Sequence, residues 1–141
     1  MGKKKRKGNR PNMDGSKDPD QTVLQAQNAK LGDYPLLSLR FVQPSWGVDC
    51  MSDSQQKAFL EKWQKRSQMT WKELSQHQRH GLGSEKLPKS AIKPLIPQQF
   101  QDLDRFVVFR HEGNLPFVGW KNGSVFHVIW IECTYCDVYN H

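Results

Sequence analysis

The pair Asn122-Gly123, inside "PFVGWKNGSVFHVIWI", restricts this chain more than any other feature. Asn-Gly between two apolar runs is the strongest short hairpin signal, because both residues accept the positive φ of a type I′ turn. A two-residue loop then pairs Lys121 with Ser124, Trp120 with Val125, Gly119 with Phe126 and Val118 with His127. Large apolar side chains fall on both faces of such a hairpin, so both faces of its sheet need cover. "RFVVFRH" from Arg105 reads as a further strand, "PFVGWK" as the next, and "SVFHVIWIECTYCDVY" as the last. "PLLSLRFV", Pro35–Val42, is short, apolar and preceded by Gly-Asp, which makes it the first strand of the chain.

Two helices are expected between the first strand and the hairpin region. Ser52 and Gln55 have capping-box spacing at the start of "SDSQQKAFLEKWQKRSQ", where Phe59, Leu60 and Trp63 make one apolar face. Thr70 and Glu73 repeat the capping box and start "TWKELSQHQ", with Trp71 and Leu74 facing inward. Gly81 and Gly83 are expected to stop this second helix. Pro88, Pro94 and Pro97 exclude a long regular element over residues 87–97, leaving a loop over 86–104 with room for one helical turn at "QQFQDLD". The order is strand, helix, helix, loop and three strands. It predicts an α+β fold: two consecutive helices packed on a roughly four-stranded, largely antiparallel sheet. One face is covered by the helices and the other by the 86–104 loop, by a partner or by nothing.

Charge is uneven along the 141 residues, which carry a net +7. Residues 1–30 hold eight Lys and Arg against three Asp, a net +5, and few apolar residues. Such a segment cannot bury enough surface to offset its ordering entropy. It is read as a disordered basic tail ahead of a single domain over residues 31–141. Lys3, Lys4, Lys5, Arg6 and Lys7 make it a polyanion-binding segment, and Lys62, Lys65 and Arg66 give the first helix an RNA-binding face. No apolar run has the length of a membrane span. Three cysteines, Cys50, Cys133 and Cys136, make an odd count; this predicts free thiols and a cytoplasmic location. "CTYC" has metal-ligand spacing, but no second pair completes a zinc set, and no metal or cofactor is expected.

The titratable groups are concentrated in "SQHQRHGLGSEK" and near the C-terminus. Cleaving RNA without a metal needs a base for the 2′-OH, an acid for the leaving 5′-oxygen and cations for the phosphate. Histidine suits both proton transfers, and arginine suits the phosphate because its fork holds two oxygens. His77, His80, Glu85, Arg105, Arg110, His111, His127, Tyr139 and His141 are the candidates. His127, in mid-strand, reads as a core residue, and His111, beside "HEGN", as an exposed one. Arg105 and Arg110 fall on opposite faces of their strand. The set His77, His80, Glu85, Arg110, Tyr139 and His141 is left as the catalytic group. His141 is the acid, favoured by its neighbouring α-carboxylate, and His80 or Glu85 is the base.

The order of elements, with "RFVVFR", "FVGW", "SVFHVIWI" and "DVYNH", resembles the RelE/ParE superfamily of small bacterial toxins. The resemblance covers residues 35–141 by topology and 105–141 by local pattern. It implies an mRNA endoribonuclease, acting free or on the ribosome and held inactive by a cognate antitoxin protein. Arg110 takes the place of the sheet arginine, Tyr139 and His141 those of the C-terminal aromatic and histidine, and His77 and His80 those of additional histidines. The long 86–104 loop, the basic tail and the missing basic pair after the last strand depart from that pattern. Two other classes fit the same residues. One is a non-catalytic RNA- or ribosome-binding protein; the other is a gyrase-inhibiting toxin of the same fold.

Overall fold

Five strands form one mixed sheet in the computed structural model, which describes residues 31–141. The chain runs through β1 (Leu36–Ser38), α1 (Asp53–Ser67), α2 (Trp71–Leu74), β2 (Glu85–Pro88), β3 (Arg105–Glu112), β4 (Leu115–Asn122) and β5 (Val125–Ile131). The strands lie in the order β1-β5-β4-β3-β2. β1 is parallel to β5, and every other pair is antiparallel. The α+β class holds, with one main helix and five strands where two helices and about four strands were expected. The tail residues Lys3, Lys4, Lys5, Arg6 and Lys7 lie outside the described residues.

Both capping boxes form, but the two helices differ in length. Ser52 caps α1 and Thr70 caps α2. α1 runs for 15 residues because Phe59 and Trp63 bury against the sheet. α2 stops after 4 residues. Beyond the buried Leu74, residues 75–80 are all exposed and polar, so a longer helix would have no apolar face to hold it. Gly81 and Gly83 therefore do not end a helix. Gly83 is needed for close approach instead: a Cβ there would come within 2.0 Å of the His77 carbonyl oxygen. Leu60, expected on the buried face, is 65% exposed.

The hairpin forms one residue further along than the Asn-Gly reading placed it. Asn122 pairs with Val125, Lys121 with Phe126 and Trp120 with His127. Gly123 and Ser124 are thus the loop residues, and only Gly123 has positive φ, as a type II′ turn requires. The register then shifts between Gly119–Val128 and Val118–Trp130, which leaves Ile129 as an extra residue in β5. The last strand ends at Ile131, and "CTYC" lies in turns rather than in a strand.

The two faces of the sheet are covered differently. On one, Phe59 and Trp63 pack on Phe109, Phe117 and Phe126. On the other, Phe106, Val108, Val118, Ile129 and Trp130 meet Phe100, Val138 and Tyr139. That second cover comes from 3-10 turns at Lys89–Ala91 and Gln98–Phe100, from Phe41 and Trp46, and from the C-terminal segment. β2 was not expected: "EKLP" is four residues, two of them charged, and ends in proline, as a short edge strand does.

A disulfide joins Cys50 to Cys133, so the expectation of three free thiols is corrected. It ties the turn before α1 to the turn after β5, and Cys136 remains free. The bond does not fix the protein's location. Among the described residues no helix is long and apolar enough to cross a membrane.

Candidate functional site

Glu132 organises the C-terminal segment. It follows the apolar end of β5 and is completely buried. A buried carboxylate must be hydrogen-bonded, and the chain folds back to do so. Its Oε2 accepts from the Val138 N–H at 2.9 Å, and its Oε1 accepts from the Cys136 N–H at 3.0 Å. Closing this hook puts Cys136 at φ 69°, a conformation uncommon for a residue with a Cβ. The same Oε1 lies 2.6 Å from Nε2 of His141, whose side chain is 12% exposed. The carboxylate that meets His141 is thus Glu132, a residue the sequence reading did not single out. Its signal was present: one acid at the end of an apolar strand needs partners nearby.

Opposite the hook lies the turn between α2 and β2. It is held by the Gly81 and Gly83 N–H groups, which both donate to the Gln78 carbonyl at 3.0 and 2.9 Å. The turn places Arg79 and His80 beside Glu85 at the start of β2. Arg110, on β3, is 4% exposed. Its Nη2 donates to Glu85 Oε2 at 2.8 Å, and its Nη1 donates to the Arg79 carbonyl at 3.2 Å. Arg79 Nη1 reaches Glu85 Oε1 at 3.4 Å, and its Nε lies 3.4 Å from His80 Nε2. Glu85 therefore holds two arginines, which makes it an anchor for cations and removes it as a free base.

These two walls enclose a cavity of about 420 Å³. His80, Glu85, Arg110, Tyr139 and His141, all expected in one site, line it together with Arg79 and Tyr135. His77 does not line it; it is exposed on the far part of the turn. The Tyr139 ring packs 4.8 Å from the His141 ring. Burial, and then the nearby Glu85 carboxylate, push the Tyr139 hydroxyl up to about 12. It therefore stays protonated at neutral pH and can donate. Neither this hydroxyl nor Arg110 Nε has a hydrogen-bond partner, although both are buried. Both residues line the cavity, flanked by two histidines, although these two donor atoms are themselves shielded from solvent. A phosphate oxygen in the cavity is the kind of acceptor that guanidinium and phenol groups bind.

Other expected residues lie elsewhere. Arg66, expected on an RNA-binding helix face, is fully buried. Its Nε donates to the Leu82 carbonyl and its Nη2 to the Arg110 carbonyl, each at 2.8 Å, and its guanidinium lies over Phe109 at 4.8 Å. Position 66 faces the sheet because it is one turn on from Trp63 and two turns on from Phe59. Lys62 is half-buried and Lys65 exposed. Burial and the neighbouring Arg66 hold the Lys62 amine below its ordinary value. His111, expected to be exposed, is fully buried against Phe59 and Phe117, and its Nε2 donates to the Glu132 carbonyl at 2.8 Å. His127 is half-buried, with its ring stacked on Trp120. Arg105 is exposed and lies away from the cavity. Among the described residues no three His, Cys, Asp or Glu side chains are grouped to hold a metal ion. Comparison with protein-family models, with curated proteins and with solved structures finds no match to this chain.

Proposed function

We propose that the cavity between the 79–85 turn and the C-terminal hook is the site of a metal-independent endoribonuclease of the toxin type. The observation that carries this reading is the convergence of Arg79, Arg110, Tyr139, His80 and His141 on one cavity. His80 takes the 2′-OH proton, and the freed oxygen attacks phosphorus. His141 gives its proton to the departing 5′-oxygen, leaving a 2′,3′-cyclic phosphate and a 5′-hydroxyl. Glu132 fixes the His141 ring through the contact between its Oε1 and the ring Nε2, as a carboxylate beside a catalytic imidazole does. Arg79, Arg110 and the Tyr139 hydroxyl hold the phosphate oxygens as charge grows on them. The substrate is mRNA, free or on the ribosome, and a cognate antitoxin would act by covering this cavity.

Purified protein should cleave RNA, tested with and without ribosomes. His141→Ala and His80→Ala should each lose about 10²–10⁴-fold in rate, with melting curves recorded to confirm folding. Equal cleavage by parent and both variants would sink the assignment. RNA bound but not cleaved by the parent would leave a non-catalytic binding protein. Inhibition of DNA supercoiling without RNA cleavage would leave a gyrase inhibitor.

A further inference from the structure

Two polar side chains, Arg66 and His111, are fully buried beneath α1. Burying a charge commonly costs more stability than filling the same space with an apolar residue, and α1 covers the rest of this face with Phe59 and Trp63. Burial lowers the Arg66 pKa from its ordinary 12.5 to about 10, so the guanidinium still carries its charge at neutral pH. The exception has a backbone cause. Three main-chain carbonyls near one end of the sheet lie past the ends of its ladders. β2 begins at Glu85, opposite Val108, so no strand flanks Arg110 on that side. Leu82 lies in the turn before β2, and Glu132 lies one residue beyond the end of β5. Arg66 donates to the Leu82 and Arg110 carbonyls, and His111 donates to the Glu132 carbonyl, each at 2.8 Å. His111 is itself the residue left over at the register shift between Arg110 and Glu112. Bulges beside functional sites re-aim side chains in this way.

We propose that Arg66 and His111 are positioning residues for the cavity on the far side of the sheet, Arg66 for His80 and His111 for His141. Each acts through one wall. His80 stands between two carbonyls held by buried arginines: that of Arg79 by Arg110, at 3.2 Å, and that of Leu82 by Arg66. The Arg66 guanidinium forks, and its second arm ties the same turn to the backbone of Arg110. In the other wall, His111 holds the Glu132 carbonyl, and the Glu132 carboxylate meets His141 Nε2 at 2.6 Å. Neither Arg66 nor His111 lines the cavity. A reacting group misplaced by about 1 Å can lose about 10²-fold in rate, so a donor that fixes the backbone beside it contributes to catalysis without touching substrate. Apolar residues at 66 and 111 could fill the same space, but they would hold no carbonyl. The contribution to cleavage rests on the endoribonuclease reading; the placement of the two rings does not.

The test follows the ring NMR signals of His80 and His141 in the full chain carrying isotope-labelled histidine, together with kcat and KM for RNA cleavage. Arg66→Met should shift the His80 signal and leave that of His141 in place. His111→Leu should do the reverse. His111→Gln, whose side-chain amide can donate to the same carbonyl, should restore the parental signal. Arg66→Lys keeps the charge but cannot fork to both carbonyls; it should behave as Arg66→Met does, and is read in its place if that variant does not fold. Arg66→Met and His111→Leu should each lower kcat by about 10–10²-fold with KM little changed, because the cations lining the cavity remain. Val128→Ala opens a hole in the same helix-side cluster without touching a carbonyl donor. It should lower the melting temperature and move neither signal. Unmoved signals in Arg66→Met and His111→Leu, the same shifts in Val128→Ala, or shifted signals with parental kcat in a chain that cleaves would overturn the positioning role. In a chain that cleaves nothing the endoribonuclease reading falls, and the signals alone decide whether the two rings are placed from beneath α1.

Discussion

The helix-covered face of the sheet and the loop-covered face both contain buried polar groups, but they treat them differently. Under α1, Arg66 donates to two carbonyl groups and lies over two phenylalanine rings, and His111 donates to a third carbonyl. Both are fully buried, and Arg66 Nη1 and His111 Nδ1 are left without a hydrogen-bond partner. On the other side, Arg110 and Tyr139 are almost as buried, but both residues line a cavity between irregular segments. The difference follows from the cover. A helix satisfies its own backbone and can seal a surface with apolar side chains alone. Irregular segments cannot, so side chains must hold them. Glu132 takes two backbone N–H groups of the hook, and the Val138 carbonyl accepts from the Lys93 N–H. The groups that hold such a cover are titratable, and they sit beside the gap it leaves. Functional groups gather on loops set by a rigid scaffold for this reason.

Substitutions can break that contrast. The largest effect belongs to Trp63→Ala, which removes a ring stacked on Phe126 and packed on Phe109. Denaturant unfolding should show a loss of about 3–5 kcal/mol, with cleavage by the remaining folded protein unchanged. Unaltered stability together with lost RNA cleavage would instead place chemistry on the helix face. Arg66 comes next. Arg66→Met keeps much of the packing but deprives the Leu82 and Arg110 carbonyls of their donor, at about 1–3 kcal/mol for each group left unsatisfied. Its neighbour Lys65 points to solvent, and Lys65→Met should stay within about 0.5 kcal/mol. Equal effects at the two positions would mean that Arg66 is not the buried anchor described.

The smallest effects are those of pH, and each face has its own limit. Burial lowers the His111 pKa from the ordinary 6.5. The unfolded chain then binds the proton more readily, so this stabilisation is complete above about 6.5 and is lost as pH falls below it. On the other face the Tyr139 value rises from 10.0 to about 12. Stability from that group is complete below pH 10 and is lost as pH rises towards 12. Melting temperature followed across both ranges should show the alkaline loss abolished by Tyr139→Phe and the acid loss left intact by it. Loss of both slopes in that single variant would show that the faces titrate as one unit.

Much of this molecule was legible from residue pattern. The hairpin, both capping boxes, the buried roles of Phe59 and Trp63 and the meeting of His80, Glu85, Arg110, Tyr139 and His141 follow from turn chemistry, periodicity and topology. What was missed depends on contacts distant in sequence. Arg66 looks like its neighbour Lys65 until the sheet is placed beneath it. The Cys50–Cys133 pair is separated by 83 residues, and odd counting cannot match them. β2 is too short and too charged to show a period. The α2 capping box was read correctly, but its length depended on an apolar residue after Leu74 that the chain does not supply. Gly119 did carry a usable sign. A glycine inside a strand often marks an irregular pairing, and a Cβ there would meet the His127 carbonyl at 2.0 Å.

The extra residue in β5 sets the parity of everything that follows it. Phe126, Val128 and Ile131 belong to the helix-side cluster, whereas Ile129 and Trp130, adjacent in sequence, both belong to the other. Strict alternation from Phe126 would have sent Trp130 beneath α1 and turned the Glu132 carboxylate to the same side, away from the hook it now gathers. One inserted residue therefore decides which side of the sheet receives the acid. Within a lineage, such a site could arise or vanish by a single-codon insertion or deletion, with every residue of the hook unchanged.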